Sequence, residues 1–328
     1  MPKTISKQNY TLVSLFAGCG GLDLGFKGGF EVLGKKYTKR NFNLIWANDI
    51  DKNACLTFSK NFKEEIVCGD IVEILENKYS NLFSQHLPKT ADVVIGGFPC
   101  QDFSLAGKRR GFNSKRGNLY QSMVEVVRRL KPSLFIAENV KGILSMNNGE
   151  AIETIKKDFA KLGYDVEYKL FHVANYGVPQ NRERVIIIGT NKKKRLPPFI
   201  FPTPTHKKED WVTIADAIQD LENIEEYGVH NHSWSKAKMF EGTQGNSIVQ
   251  KNKISPTMRA EHHGNIEWHW NKKRRLSARE AARIQTFPDN FIFYPSTSSA
   301  YKQIGNAVPP VFGWHLAKAV EGYLNKNI

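Results

Sequence analysis

The stretch TLVSLFAGCGGLDLGF, Thr11 to Phe26, runs from an apolar strand pattern (Thr11 to Phe16) directly into a glycine-rich turn. Gly18, Gly20 and Gly21 permit a tight turn and let a ligand come close to the backbone. The GxGxxG spacing of a dinucleotide site is absent, and no GK[ST] follows, so this is not a phosphate loop either. Outward from this point, strand-like runs recur at Leu44 to Asn48, Glu65 to Cys68, Val93 to Ile95, Ser133 to Ala137, Tyr164 to Phe171 and Arg184 to Thr190. Helical patterns lie between them. The clearest spans Asn118 to Leu130, where Leu119, Met123, Val126, Val127 and Leu130 share one face and Lys131-Pro132 closes the helix. This alternation predicts an α/β fold, a doubly wound, mostly parallel sheet with helices on both faces.

Two carboxylates stand at the carboxyl ends of neighbouring predicted strands. Asp49 could bind ribose hydroxyls, and Asp70, in GDI, could accept a bond from an adenine amino group. Such an arrangement suits a nucleoside ligand. The lack of any phosphate cradle favours a cofactor without phosphates, such as S-adenosylmethionine. The same residues also suit a glycine-rich turn followed by two helix N-caps.

The chain has 328 residues, 41% apolar, enough for one large core or two unequal domains. Its formal charge of +15 points to a polyanionic partner, because lysines and arginines that neutralise phosphates release condensed counterions. Charge does not separate DNA from RNA. Cys19, Cys55, Cys68 and Cys100 form no CxxC pair, so zinc sites and disulfides are not expected and a reducing cytoplasm is the default. No run of 18 apolar residues exists, and the polar MPKTISKQNY start lacks a signal-peptide core, so no membrane partner is expected.

The composition changes near residue 191. Lys192 to Arg195 is followed by LPPF and PTPTH, and the stretch 191–275 holds six of the nine histidines and four of the six tryptophans. We read three parts: 1–190 as a catalytic and cofactor-binding domain, 191–275 as an inserted module, and 276–328 as a hinge and return. Ser277 to Glu280 (SARE) has capping-box spacing, and a last helix is predicted over about Ala307 to Leu324.

The chemistry centres on GFPCQDFS, Gly97 to Ser104. It follows the strand Val93 to Ile95 and places Cys100 after Pro99, at the exposed end of a buried strand, where a thiol can act as a nucleophile. Downstream, ENV (Glu138 to Val140) follows another predicted strand, and NRER (Asn181 to Arg184) precedes a third.

These pieces occur in order with FAGCGG (Phe16 to Gly21), REAARIQTFPDNF (Arg279 to Phe291) and YKQIGNAVPP (Tyr301 to Pro310). Together they resemble the bacterial cytosine carbon-5 DNA methyltransferase family of the restriction-modification type. The resemblance implies a sequence-specific, S-adenosylmethionine-dependent enzyme that methylates flipped-out cytosines in double-stranded DNA. It also implies that the C-terminal helix returns to pack beside the first strand. Cys100 would be the nucleophile, Glu138 the acid at the ring, and Arg184 with Arg182 would hold the ring oxygen and orient the carboxyl. Phe16 and Ile50 would flank the adenine, Gly97 and Leu119 would line the pocket, and Asn306 and Ala307 would close it. Ala17, Gly18, Cys19, Gly20, Gly21, Asp49, Asp70, Ile71 and Pro99 complete the implied cofactor set. The family usually carries Glu where this chain has Asp49.

The loop QDFSLAGKRRGFNSKRG, with five basic residues, has the charge and glycines of a lid over the DNA backbone. Gln101, Ser104 and Arg116 match DNA-contacting positions. In the 191–275 module, expected to be the target reader, Thr257 matches a threonine of target-recognition segments. Arg259, Glu261, His262, His263 and Asn265 are candidate base readers. A zinc reading of His262, His263 and His269 is poor, because no cysteine accompanies them. The implied partners are double-stranded DNA and a restriction endonuclease of the same specificity, with a monomer sufficient for the reaction. An RNA cytosine-5 methyltransferase and a non-catalytic DNA-binding protein are the rival readings.

Overall fold

The computed structural model describes residues 9–76, 87–99, 119–195, 197–239, 246–260, 266–271 and 273–327. Seven strands form one sheet: β1 (Tyr10–Leu15), β4 (Phe42–Asp49), β5 (Ile66–Cys68), β6 (Val93–Gly96), β7 (Leu134–Val140), β8 (Tyr164–His172) and β9 (Glu183–Asn191). Their order is β5-β4-β1-β6-β7-β9-β8. β9 runs antiparallel to both its neighbours, and the other pairings are parallel. The chain winds to one side from β1 to β4 and β5, then to the other from β6 onward. The carboxyl ends of β1 and β6 therefore flank the point where a doubly wound sheet binds ligands. The predicted α/β architecture is the observed one.

Both faces of the sheet are apolar, as a parallel sheet covered by helices requires. Leu12, Val93, Ile95, Ile136 and Ile188 pack on one face with α1 (Gly21–Lys27) and α9 (Pro310–Leu324), through Phe26, Phe312, Leu316 and Val320. Val13, Leu15, Val94, Phe135 and Ile187 pack on the other with α4 (Leu119–Leu130) and α5 (Glu150–Lys161). On α4 the predicted face is buried at Met123, Val126, Val127 and Leu130, and Lys131 takes a left-handed conformation just before Pro132. The capping box at Ser277 is present: Ser277 Oγ accepts the Glu280 amide, and the Glu280 carboxylate accepts the Ser277 amide. It opens α7 (Ala278–Ile284), which packs with α6 (Ile214–Ile218) and Phe287, Phe291 and Phe293 in a third core.

Three elements depart from the expectation. The hairpin of β2 (Phe30–Val32) and β3 (Lys35–Tyr37) turns through Leu33 and Gly34, both at positive φ. Leucine at the first turn position hides the Asn-Gly signal of such turns. α8 (Thr297–Asn306) is a separate helix, and Ala307 leaves it in extended conformation. The last helix therefore begins at Pro310, in the first helical position where proline is preferred, and not at Ala307. The remaining elements are α2 (Lys52–Asn61) and α3 (Ile71–Leu75). Among the described residues, no helix is long and apolar enough to cross a membrane.

The C-terminal return rests on two glycines. A Cβ at Gly25 would lie 2.6 Å from the Gly313 carbonyl carbon and 2.7 Å from the Pro310 carbonyl oxygen, so α1 and α9 touch backbone to backbone. Alanine normally stabilises a helix over glycine by roughly 0.5–1 kcal/mol. Here Gly25→Ala is expected to destabilise the protein by about 1–3 kcal/mol through overpacking. Urea unfolding checks the sign, and a stabilised variant would contradict the close packing.

Candidate active site

The turn after β1 is strained in a definite pattern. Phe16 (φ 53°), Gly18 (φ 57°) and Gly20 (φ 93°) are left-handed. The phenylalanine is the costly one, since a bulky residue there needs surrounding contacts to hold it. The Ala17 amide donates to Asn48 O at 2.9 Å, and the Gly18 amide donates to Asp49 Oδ2 at 2.7 Å. The glycines then divide by role. Among the described residues, a Cβ at Gly18 would meet nothing within 4 Å, so none of them closes that face. A Cβ at Gly20 would strike the Phe62 ring at 2.4 Å, and one at Gly21 would strike Val308 O at 2.4 Å. Gly20 and Gly21 serve packing, and Gly18 serves the opening.

Asp49 stands at the end of β4 beside this turn. Its second oxygen accepts the Asp51 amide at 2.8 Å. Burial raises its carboxyl above the ordinary value, against the lowering by the Asp51 and Gly18 amides. Ile50, next in the chain, is 67% exposed, an aliphatic surface standing free beside the carboxylate. Asp70 caps α3 by accepting the Val72 amide at 2.9 Å, and Ile71 is buried behind it. Helix capping is thus part of the role of Asp70, while α2 is capped by Asp51 and not by Asp49. Cys19 is a core thiol, with Sγ 3.9 Å from Gln303 O and its pKa raised by burial. Leu119 is half-buried at the start of α4, and Asn306 is exposed at the end of α8. An open glycine face, an exposed aliphatic and two strand-end carboxyls fit a nucleoside-type cofactor without phosphates.

Across the switch point, the parallel register sets Gly96 opposite Ala137. Gly97 therefore lies against Glu138. A Cβ at Gly97 would stand 2.9 Å from Glu138 Oε2, so the glycine leaves room for the carboxyl. Glu138 Oε1 is held by Arg184 Nε at 2.7 Å, with both side chains 12% exposed. The pair is diagonal across the antiparallel ladder, where Val140 faces Arg184 and Glu138 faces Ile186. Arg184 also donates to Glu183 O at 2.7 Å. Asn139, between them, donates its amide to Phe98 O at 3.0 Å and is buried. It ties the start of the GFPC segment to the ENV strand, a role whose only signal in the sequence is its place inside that motif. Pro99 is exposed. Cys100, Gln101, Ser104 and Arg116 lie outside the described residues, as does the rest of the basic loop.

Arg182 does not join this pair, which corrects the expectation that it helps hold the ring. It is 1% exposed, and its guanidinium donates to Met258 O at 3.0 Å, Gly305 O at 3.0 Å and Ala307 O at 3.1 Å. Burial, and then repulsion from Arg184, lower its pKa well below the ordinary value. Its work is structural, joining three backbone carbonyls from distant parts of the chain.

In the 191–275 stretch, Thr257 Oγ1 donates to Asn181 O, so the residue lies directly on the NRER segment. Arg259 is exposed nearby, and its charge lowers the Glu267 carboxyl, whose net shift by burial is upward. His269 is buried 3.8 Å from Glu280, and burial pushes its pKa down. Glu261, His262, His263 and Asn265 lie outside the described residues.

The pattern of C-5 cytosine-specific DNA methylases matches residues 10–322, nearly the whole chain. The chain belongs to that family. Type II methyltransferase M.NgoFVII of Neisseria gonorrhoeae is 37% identical, over 100% of this chain and 92% of its own. Type II methyltransferase M.FnuDI of Fusobacterium nucleatum is 35% identical over 94% of each chain. The crystal structure of the Schizosaccharomyces pombe (S. pombe) Dnmt2 methyltransferase superposes with a TM-score of 0.68 at 16% identity. It covers 97% of this chain and 99% of its own, and bears on the fold alone. Membership makes this protein a DNA cytosine methyltransferase, and the family and fold imply S-adenosylmethionine as its cofactor.

One buried carboxyl follows this methylase's turn. Asp23 of α1 is 2% exposed, and among the described residues its oxygens have only the Ser14 hydroxyl nearby, without a well-formed hydrogen bond. Burial pushes it up to about 7, against the lowering by the Ser14 hydroxyl. The folded value lies above the ordinary 3.8, so the folded state holds the extra proton between the two. Stability is then greatest below the ordinary value and falls as pH rises through the folded one, by at most about 1.4 kcal/mol per pH unit. Asp23→Asn is expected to raise the melting temperature over the parent at pH 8 and to raise it by less at pH 5. Scanning calorimetry at both pH values checks this, and a gain independent of pH would contradict it.

Proposed function

We propose that this methyltransferase modifies carbon 5 of cytosine at a specific sequence in double-stranded DNA, with Cys100 as nucleophile, Glu138 as ring acid and Arg184 as its orienting partner. The observation that carries the reading is the Glu138 carboxyl, fixed by Arg184 on one oxygen and facing Gly97 with the other, three residues before Cys100.

Cytosine carbon 5 is a weak nucleophile. A thiolate adding to carbon 6 converts the ring to an enamine whose carbon 5 can take up a methyl group. A free thiol near pKa 8.5 is only roughly 3% thiolate at pH 7, so a cationic neighbour would raise the reactive fraction. Addition places negative charge on the ring, and Glu138 would donate to ring nitrogen 3 to stabilise it. Arg184 would hold the carboxyl in place and reach the ring oxygen. The carbon-5 proton then leaves, to water, before the thiol is eliminated. Because carbon 6 is hidden in a stacked duplex, the target base must be extruded first.

S-adenosylmethionine, when bound, supplies an electrophilic methyl carbon on a sulfonium. Gly18, Asp49 and Ile50 would hold its nucleoside at the open face of the turn, with Phe16 and Asp70 on the adenine side and Asn306 and Ala307 closing it. Asp49, shorter than the family's usual Glu, already takes the Gly18 amide, which draws the turn toward the carboxylate. The 191–275 module, with Thr257 and Arg259 on its inner edge, would read the sequence. The relatives carry type II methyltransferase names. By that analogy the enzyme would act in the cytoplasm as a monomer and protect host DNA beside an endonuclease of the same specificity.

Cys100→Ser is expected to abolish transfer of labelled methyl groups to DNA while DNA binding remains; retained turnover would remove the nucleophile assignment. Glu138→Gln is expected to lower kcat by about 100-fold or more, as loss of a general acid does, with cofactor affinity unchanged. A loss confined to cofactor affinity would count against the acid role.

A further inference from the structure

One buried polar cluster joins the two segments assigned above to the two ligands. Gln180 is fully buried; its Oε1 accepts the Met258 amide at 3.1 Å, and its Nε2 donates to Gln285 Oε1. Gln285, also fully buried, donates to Ile304 O at 3.0 Å and Ala307 O at 2.6 Å. Arg182 closes the cluster by bonding Met258 O on one side and Gly305 O and Ala307 O on the other. The two segments also touch directly. A Cβ at Gly305 would lie 2.4 Å from the Arg259 carbonyl carbon and 2.5 Å from the Ala260 nitrogen. Thr257 and Arg259 are thus carried on backbone that shares its donors, and its packing, with the backbone carrying Asn306 and Ala307.

We propose that this cluster couples DNA binding to cofactor binding, with Gln180, Arg182 and Gln285 as positioning residues. The inference rests on the reading of Thr257 and Arg259 as DNA contacts and of Asn306 and Ala307 as cofactor contacts. Neither segment can shift alone without leaving buried donors or acceptors unpaired, which is the expensive outcome for a buried polar network. A ligand that orders one segment therefore orders the other, and the effect is reciprocal. Arg184 lies two residues beyond Arg182, so the same cluster sets where the catalytic strand begins.

The test measures the dissociation constant of S-adenosylhomocysteine by calorimetry on the full chain, with and without a duplex carrying the sequence that the parent enzyme methylates. In the parent the duplex is expected to tighten binding about tenfold, within the roughly 5- to 150-fold range of coupled sites. In Gly305→Ala, which forces the two backbones apart, and in Gln180→Met, which keeps volume but removes the bonds, the ratio is expected to fall below about twofold. Affinity without DNA should stay near the parent's in Gln180→Met. A residue that only supported the fold would weaken both measurements together and leave the ratio intact. A parent ratio of one, or an unchanged ratio in both variants, overturns the coupling. Methyl transfer by the parent on the same duplex, measured in parallel, shows that such a failure belongs to the coupling and not to the proposed function. If Gly305→Ala loses its helical circular dichroism, the milder Gln180→Met decides.

Discussion

A guanidinium without water must find acceptors, and Arg182 finds three. A buried cation left unpaired is strongly unfavourable, so Met258, Gly305 and Ala307 have to converge on it. These carbonyls come from the 191–275 stretch, the end of α8 and the entry to α9. Their meeting point lies immediately before β9, whose second residue is Arg184. The position of Arg184 fixes the carboxyl of Glu138, and Gly97 leaves that carboxyl its space. The proposed catalytic pair, the candidate DNA contacts and the turn proposed to close on the cofactor are therefore all placed with respect to one buried charge.

The sheet divides the work around its switch point. On the β1 and β4 side stand Gly18, Asp49 and Ile50, the residues proposed to hold the nucleoside. On the β6 and β7 side stand Gly97, Glu138 and Asn139, just before Cys100 in sequence or beside that stretch. Because β1 and β6 are adjacent and parallel, with Leu15 opposite Gly96, the two halves meet at the carboxyl ends of neighbouring strands. A methyl donor and a cytosine ring bound on either side would then lie within reach of each other.

Periodicity and glycine spacing carried most of the fold, and the resemblance of the ENV and NRER motifs to the family carried the Glu138–Arg184 pair. Other features were not legible for particular reasons. Arg182 and Arg184 are two apart, and in a continuing strand both would share a face. Arg182 instead lies in a tight bend, with its amide donating to Gln180 O, and it turns inward before the strand starts. The glycines of the turn look alike in sequence, and only their neighbours separate the open Gly18 from the packed Gly20 and Gly21. Gln180 and Gln285 sit 105 positions apart and meet only in the folded chain. The hairpin at Leu33-Gly34 carries no clear sequence signal, because leucine occupies a turn position normally held by asparagine or glycine.

This constellation is proposed to methylate cytosine carbon 5 in a defined DNA sequence. The most direct measurement is bisulfite sequencing of DNA from cells expressing the chain, compared with the same cells without it. Methylated cytosines confined to one short motif, and appearing only with expression, are the predicted result. An unchanged methylation map would contradict the account, and methylation scattered without a common motif would contradict its sequence-reading module.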